Sequence, residues 1–200
     1  GEMASRDILT IKGLIRRGEA RTASSYNNIP LDRVHFLDLP FYETGKIQKN
    51  PISEADVEIV RNLLREVKPH QIFVAGDLAD PHGTHRVCTD AVFAAVDLEK
   101  EEGAKWLKDC RIWMYRGAWA EWEIENIEMA VPISPEELRA KRNSILKHQS
   151  QMESAPFLGN DERLFWQRSE DRNRGTATLY DQLGLASYEA MEAFVEYIPL

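Results

Sequence analysis

The chain has 200 residues, 43% of them hydrophobic and 29% charged, which is the composition of an ordinary globular domain with room for one core. Its formal net charge of −8, without any block of Lys and Arg, argues against nucleic acid as a partner. No apolar run approaches the roughly 20 residues that cross a bilayer, no leader peptide is visible and two cysteines make no disulfide framework, so we expect no membrane partner and a cytoplasmic setting.

The first predicted element is a helix over residues 6–26, which is rich in arginine and glutamate. Its large apolar residues recur near helical spacing, at Ile8, Ile11, Leu14 and Ile15. An α/β domain normally begins with a buried strand, and no strand precedes this helix. We therefore expect either part of a longer chain or a fold that begins with a helix.

A short strand is predicted at 33–39, a β-rich run closed by Pro40, and the polar stretch 41–51 predicts a loop. Ser53, followed three residues later by Asp56, predicts a capping box at the start of the next helix. The apolar face of that helix is expected to consist of Val57, Val60, Leu64 and Val67.

The run 71–76 is apolar on both faces, which predicts a strand inside a parallel sheet covered by helices. After a polar loop at 77–85, residues 86–98 predict a helix. Its inward residues are expected to be Val87, Ala91, Ala94, Ala95 and Leu98. Two further strands are predicted at 111–115 and 127–131.

A second capping box is predicted where Ser134 is followed by Glu137, and it opens a helix to about residue 149. Two more helices are predicted over 161–174 and 187–197.

The order of these elements defines the expected fold class. Strands that alternate with helices indicate an α/β domain with a mainly parallel sheet of βαβ units and helices on both faces. We expect one domain over residues 1–200, of which 152–200 is a helical C-terminal extension.

The loop 77–85 is the first candidate site, because ligands of open α/β sheets bind beyond the carboxyl ends of strands. It contains two carboxylates and two imidazoles: Asp77, Asp80, His82 and His85. Both groups are suitable ligands for zinc. A polar loop in which Asp77 or Asp80 caps the next helix explains the same residues, and both interpretations stay open.

A catalytic zinc ion needs about three protein ligands and an open position for water, and one loop supplies one or two of them. His35, His70 and His148 are the remaining candidates. Each has a structural alternative. His35 lies within a predicted strand, His70 follows Pro69, and His148 lies near a helix C-terminus, where the helix dipole favours an imidazolium.

A second candidate region follows the predicted strand at 111–115. Residues 115–122 contain two indoles and an arginine, of which Arg116 and Trp119 are the candidates for binding a substrate. Aromatic faces stack on sugars, and arginine holds phosphate or carboxylate well. The alternative is that this run forms a corner of the core or an interface.

Residues 80–86, Asp-Pro-His-Gly-Thr-His-Arg, resemble the second signature of the PIG-L/LmbE-like N-acetylglucosaminyl deacetylases, a His-x-x-His ahead of a helix. Residues 17–23, together with the run 34–39, are similar to the family's Arg-x-x-Glu-Ala helix and the strand after it. Residues 141–151 are similar to its late Lys-helix-His-x-Ser-Gln pattern. The resemblance therefore extends from about residue 7 to residue 151.

Three longer stretches, DLADPHGTHR, YRGAW and KHQSQ, are similar to one subgroup. In that subgroup a deacetylase-like region forms the C-terminal part of chains named for glucosamine-6-phosphate deaminase, behind a sugar-phosphate deaminase/isomerase domain. The resemblance implies a three-layer Rossmann-like fold whose first strands are missing here. It also implies an upstream deaminase-like domain as partner and an amino sugar or its phosphate as substrate.

The resemblance also implies roles for the loop. His85 matches the family's metal-binding histidine, and His82 matches the histidine that stabilises the oxyanion of the tetrahedral intermediate. Asp80 joins His82 as a catalytic candidate, and Asp77 is a candidate for binding the substrate. The family's other ligands and its general base lie in a His-Pro-Asp-Asp motif, and no His-Pro pair occurs in this chain. We therefore expect zinc in the complete domain, and weak zinc binding without deacetylase activity in this chain.

Two functions are consistent with these patterns. The first is zinc-dependent hydrolysis of an N-acyl amino sugar or sugar phosphate, complete only in a longer chain. The second is a non-catalytic module that binds sugar phosphates or forms oligomers beside a deaminase domain. A His-Pro-Asp-Asp motif upstream of the chain would favour the first. A sheet edge left uncovered by missing strands would favour a homo-oligomer.

Overall fold

The computed structural model describes residues 6–42, 50–76, 83–118, 120–152 and 161–199. The helices longer than two turns are α1 (Arg6–Tyr26), α2 (Glu54–Val67), α3 (Thr84–Glu101), α4 (Pro135–Ile145) and α5 (Phe165–Gln182). The strands are β1 (Gln71–Ala75), β2 (Arg111–Tyr115), β3 (Met129–Ile133) and β4 (Ala190–Tyr197). Across these ranges, no helix has the length and apolar character needed to cross a bilayer.

The four strands form an open sheet in the order β1-β2-β4-β3. β1 and β2 run parallel, with Val74 opposite Met114, and β2 and β4 run antiparallel, with Met114 opposite Val195. The predicted α/β class, with an open sheet and flanking helices, is confirmed. The antiparallel β4 makes the sheet mixed, and it was not predicted.

The chain folds as two compact units. One consists of Gly1–Phe36 with Pro132–Met191, and the other of Leu37–Val131 with Glu192–Leu200. The first unit contains α1, α4 and α5. The second contains α2, α3, β1 and β2, and therefore carries the strand end and the helix start of the predicted site.

The core of the second unit lies between α2, α3 and the sheet. Its buried apolar residues are Val57, Val60, Leu64, Val74, Ala91, Ala95, Val96 and Ile112. This confirms most of the predicted inward positions of both helices. Val67 and Leu98 are the exceptions, 55% and 38% exposed, and Val87 is half-buried and does not belong to this cluster.

Charged side chains also join α2 to α3. The guanidinium of Arg61, only 8% exposed, lies 3.0 Å from the carboxylate of Glu99 and 2.6 Å from that of Glu102. If one partner of a buried ion pair is removed, the other charge is left uncompensated. These ion pairs therefore hold α2 and α3 in one relative orientation.

The predicted capping box of α2 is present and extends into the core. The fully buried carboxylate of Asp56 accepts hydrogen bonds from the backbone N–H groups of Phe41, at 2.9 Å, and Ser53, at 2.8 Å. Burial by itself raises the pKa of Asp56, but the hydrogen bonds from Ser53 and Phe41 outweigh burial and lower the pKa. The ionised carboxylate therefore stabilises the fold.

Replacement of this carboxylate should make the free energy of unfolding depend less on pH. We expect Asp56→Asn to lower the free energy of unfolding by about 1–3 kcal/mol at neutral pH, because the amide cannot accept all of these hydrogen bonds. The folded-state pKa is depressed, so the wild-type advantage is present above the unfolded pKa of about 4 and disappears as pH falls through the folded pKa. Urea denaturation at neutral and acidic pH measures both effects. The exposed neighbour, as Glu54→Gln, is the control, and a difference that does not depend on pH would contradict the prediction.

In the first unit, α4 and α5 are held together by polar groups. Nζ of Lys141 donates to Oδ1 of the fully buried Asn173, whose Nδ2 donates to the carbonyl of Met191, both at 2.7 Å. Arg142 makes a two-pronged ion pair with Glu170, at 2.5 and 2.6 Å. The first residues of β4 are thereby joined to α5.

Two predicted elements are wrong. Residues 34–39 form no strand, because no strand partner for them lies within the described residues and a 3-10 turn at Leu31–Arg33 precedes them. Residues 190–197, predicted as part of a helix, form β4. Their Ala, Met and Glu residues favour a helix locally, but pairing with β2 overrides that preference. In addition, α5 begins and ends later than predicted, and β3 is shifted by two residues.

Candidate active site

The carboxyl end of β1 is tied to α3. The N–H of Gly76 donates to the carbonyl of Tyr115 at 2.8 Å, which extends the pairing of β1 with β2 by one residue. The hydroxyl of Thr89, in the second turn of α3, donates to the carbonyl of Ala75 at 2.7 Å. The start of α3 is therefore held at the strand end, where open α/β sheets bind their ligands.

Gly76 allows an indole to pack directly on the backbone. A Cβ atom built on Gly76 would lie 2.6 Å from Cζ2 of Trp122 and 2.7 Å from Cβ of Met114, too close for either contact. Glycine at this position therefore permits the loop after β2 to lie against the end of β1.

We expect Gly76→Ala to destabilise the chain by about 1–3 kcal/mol, because the added methyl group must displace the Trp122 ring or the β2 backbone. Gly13→Ala is the matched control. Gly13 lies within α1 with nothing within 4 Å of an added Cβ, so the same substitution there should stabilise by about 0.5–1 kcal/mol. Urea denaturation with tryptophan fluorescence measures both changes. Equal effects of the two substitutions would contradict the close packing at Gly76.

Arg116 joins the two strand ends. Its Nε–H donates to the carbonyl of Ala120 at 2.6 Å, and its Nη1 donates to the carbonyl of Gly76 at 3.1 Å. The guanidinium also lies over the Trp122 ring, 4.7 Å from its centroid, a cation–π contact. In the described residues, Nη2 makes no hydrogen bond. Arg116 therefore joins Ala120 to Gly76, and its Nη2 group is left as a donor for a ligand.

His85 is the second residue of α3 and is exposed to solvent. The helix begins after Gly83, whose φ of +67° suits glycine. The other predicted residues of the two candidate regions lie outside the described residues: Asp77, Asp80, His82 and Trp119. The structure thus places His85 and Arg116 in the second unit and leaves the remaining assignments as predictions.

The described residues do not fit a catalytic zinc centre. Within them, no group of three or more His, Cys, Asp or Glu side chains is placed to hold a metal ion. Of the predicted loop ligands, only His85 is described, and one imidazole cannot hold such an ion. We therefore derive no catalytic step that passes through a metal.

Of the three remaining histidines, one belongs to the second unit and two belong to the first. His70 directly precedes β1, at the end opposite Gly76, and its carbonyl accepts the N–H of Arg111 at 2.9 Å. His35 and His148 belong to the first unit. His148 follows α4 and helps to lower the pKa of Glu19, although the hydrogen bond from Ser150 is the largest cause of that shift.

Two distant motifs of the predicted family resemblance meet in the first unit. The carboxylate of Glu19, in the Arg-x-x-Glu-Ala stretch, accepts the backbone N–H of Ser150 at 2.6 Å and its hydroxyl at 2.7 Å. Ser150 belongs to the His-x-Ser-Gln stretch. A contact between residues 131 positions apart gives these motifs a shared structural role.

Two further residues of the run 115–122 lie near the strand ends, although the sequence analysis chose only Arg116 and Trp119 from that run as site residues. Trp122 packs on Gly76, and Tyr115, at the end of β2, is partly exposed. Burial, and then the nearby Glu192 carboxylate, raise the pKa of Tyr115, so its hydroxyl stays protonated at neutral pH and can donate a hydrogen bond. The sequence could have indicated Tyr115 as a site residue, because it is the last residue of a predicted parallel strand.

Comparison with protein-family models gives no match. The chain is 98% identical over its whole length to a glucosamine-6-phosphate deaminase-like protein of Bacteroides thetaiotaomicron, and it spans 30% of that protein's length. More than two thirds of this relative therefore lies outside the matched region.

Solved structures similar to the chain include a 4-carboxy-2-hydroxymuconate hydratase of Pseudomonas putida, with 14% identity and a TM-score of 0.63 over 93% of the chain and 72% of the hydratase. An N,N′-diacetylchitobiose deacetylase of Pyrococcus horikoshii has 17% identity and a TM-score of 0.56 over 93% of the chain and 64% of that protein. A teicoplanin deacetylase, solved in a zinc-inhibited form, has 18% identity and a TM-score of 0.51 over 92% and 74%. At these identities the similarity shows the fold alone.

Proposed function

We propose that the chain is the C-terminal part of a hydrolase that removes the acyl group from an N-acyl amino sugar or its phosphate. The observation that carries this proposal is the arrangement at the end of β1. Gly76 is tied to Tyr115, Thr89 holds α3 against Ala75, and α3 then begins with the predicted metal-binding His85. Ligands of open α/β sheets bind at such strand ends.

The comparisons support the substrate class. Two solved proteins with this fold are deacetylases, and the nearly identical relative is named for glucosamine-6-phosphate. The contact of Glu19 with Ser150 joins two of the motifs on which the family resemblance rests. Because a fold hosts many reactions, as the similar hydratase illustrates, the chemistry must come from the site itself.

Hydrolysis of the amide adds water to the acyl carbon, breaks the C–N bond and releases a carboxylate and an amine. A negative charge develops on the acyl oxygen in the tetrahedral intermediate. We propose that the imidazolium of His82 stabilises this charge, with Asp80 in the same loop as its catalytic partner. Asp77, Arg116 and Trp119 are proposed to bind the sugar or its phosphate, and the unused Nη2 donor of Arg116 supports such a contact.

The proposed site is complete only in the longer polypeptide. His85 is the single described candidate ligand, and the family resemblance assigns the other ligands and the general base to a His-Pro-Asp-Asp motif that this chain lacks. The test is release of acetate from N-acetylated amino sugars and their phosphates by the longer protein. No release in the presence of zinc would overturn the proposal.

A non-catalytic module that binds sugar phosphates beside a deaminase domain is the second candidate. The absence of a ligand cluster within the described ranges favours it, as does the name of the relative. Under this alternative the longer protein binds an amino-sugar phosphate, as measured by calorimetry, but releases no acetate.

A further inference from the structure

The N-terminal half of α1 carries an uncovered apolar surface, which we name the α1 stripe. It consists of Ile11, Leu14 and Ile15, whose side chains are 57%, 62% and 49% exposed. Residues spaced by three or four positions lie on one side of a helix, so these three form a continuous surface. Burial of these side chains would be favourable, because it would remove apolar surface from water.

The C-terminal half of the same helix is packed. Ala23 is 7% exposed, and the hydroxyl of Tyr26 accepts a hydrogen bond from Asn143 at 3.1 Å. The Lys147 ammonium lies 5.0 Å from the Tyr26 ring centroid. Both contacts come from α4 and the turn that follows it. The C-terminal half of α1 therefore packs within the first unit, whereas the α1 stripe on its N-terminal half is exposed.

Charge limits what can cover the α1 stripe. The exposed side chains of Lys12 and Arg16 lie along one side of it, and the exposed Asp7 lies four positions before Ile11. In a symmetric contact between two copies of this surface, each copy meets the same residues, so these cations would be brought together. An apolar segment with acidic residues at its rim fits the stripe better than a second copy does.

We propose that a segment of the longer polypeptide outside the present chain, apolar and with an acidic rim, packs on the α1 stripe. The relative that is 98% identical over this whole chain, including α1, extends well beyond it, since the chain spans only 30% of its length. This interface goes beyond the proposed hydrolase activity and does not depend on it.

The test measures cysteine labelling in the longer protein. Ile15→Cys places a thiol within the α1 stripe, and Gly13→Cys places one on the opposite side of α1, at an exposed position with nothing within 4 Å of an added Cβ. Both are labelled with a maleimide under native conditions, and mass spectrometry of the α1 peptide gives each rate without interference from Cys88 or Cys110. We expect Ile15→Cys to react at least about 10-fold more slowly than Gly13→Cys, as for a site that opens only by local unfolding.

Equal labelling rates in the longer protein would overturn the proposal. Protection of Ile15→Cys that disappears on dilution would assign the stripe to a second copy instead. Protection that requires added vesicles of anionic lipid would assign it to a membrane surface.

A charged variant, Ile15→Asp, provides a second measurement. It should lower the unfolding temperature of the longer protein, whereas Gly13→Asp, on the opposite side of α1, should not, and equal unfolding temperatures would overturn the proposal. Because none of these readouts measures hydrolysis, they separate this interface from the proposed function.

Discussion

The isolated chain should release no acetate from N-acetylated amino sugars, whereas the longer polypeptide should release it. The physical reason is the number of ligands. α3 presents His85, and no three metal-binding side chains come together in the described part of the chain. A catalytic zinc ion needs about three protein ligands. Acetate release measured beside metal analysis tests both statements. Activity of the isolated chain, or one tightly bound zinc ion per chain, would contradict them.

In the longer polypeptide, His85→Ala should remove most of the activity. Loss of a residue that only orients a ligand costs about 10- to 100-fold, so we expect loss of a ligand to lower kcat/KM by more than about 100-fold. The zinc content should fall with it. His70→Ala is the matched control, because His70 is also exposed but precedes β1 at the opposite end of the strand. It should leave the rate and the metal unchanged. Full activity of His85→Ala would exclude His85 as a ligand.

The isolated chain should also associate with itself through the edge of β1. Among the described strands, β1 pairs only with β2, and Phe73 is 51% exposed although its strand is apolar after Gln71. A flat apolar edge strand with free backbone groups is a template for pairing with another chain. Light scattering over a wide range of concentration should therefore detect dimers or larger assemblies.

A charge on this edge should prevent the association. We expect Phe73→Lys to weaken self-association by about 10-fold or more, because a lysine must be desolvated if another strand pairs there. Leu183→Lys is the control. Leu183 is 61% exposed at the end of α5, and it lies on no strand. A wild-type chain that stays monomeric at every concentration, or equal effects of the two lysines, would exclude the β1 edge as the contact.

The local signals in the sequence predicted most of the elements accurately. The start of α2 is a capping box at Ser53, as predicted, and β2 has the predicted bounds. Hydrogen bonds that close within a few residues determine such features, so the sequence carries them. The interior position predicted for β1 is not what the structure shows, since β1 is an edge strand of the described sheet.

Features that depend on distant partners were harder to predict. Residues 190–197 contain good helix formers, and only their pairing with β2 makes them a strand. The contact of Glu19 with Ser150 and the packing of Trp122 on Gly76 also join segments far apart in the chain. At the site, the sequence identified Arg116 but not its hydrogen bonds to the carbonyls of Gly76 and Ala120. A single sequence contains no signal for these pairings.

The hydrogen bond from Thr89 to Ala75 has an evolutionary consequence. It anchors α3 to the end of β1 without using any residue between Gly76 and Gly83. Substitutions in that short connection therefore leave this anchoring hydrogen bond in place. Such a separation lets one architecture exchange its reactive groups while its stability is preserved. Hydration and deacylation, reactions named for proteins that share this architecture, are the kind of divergence that it permits.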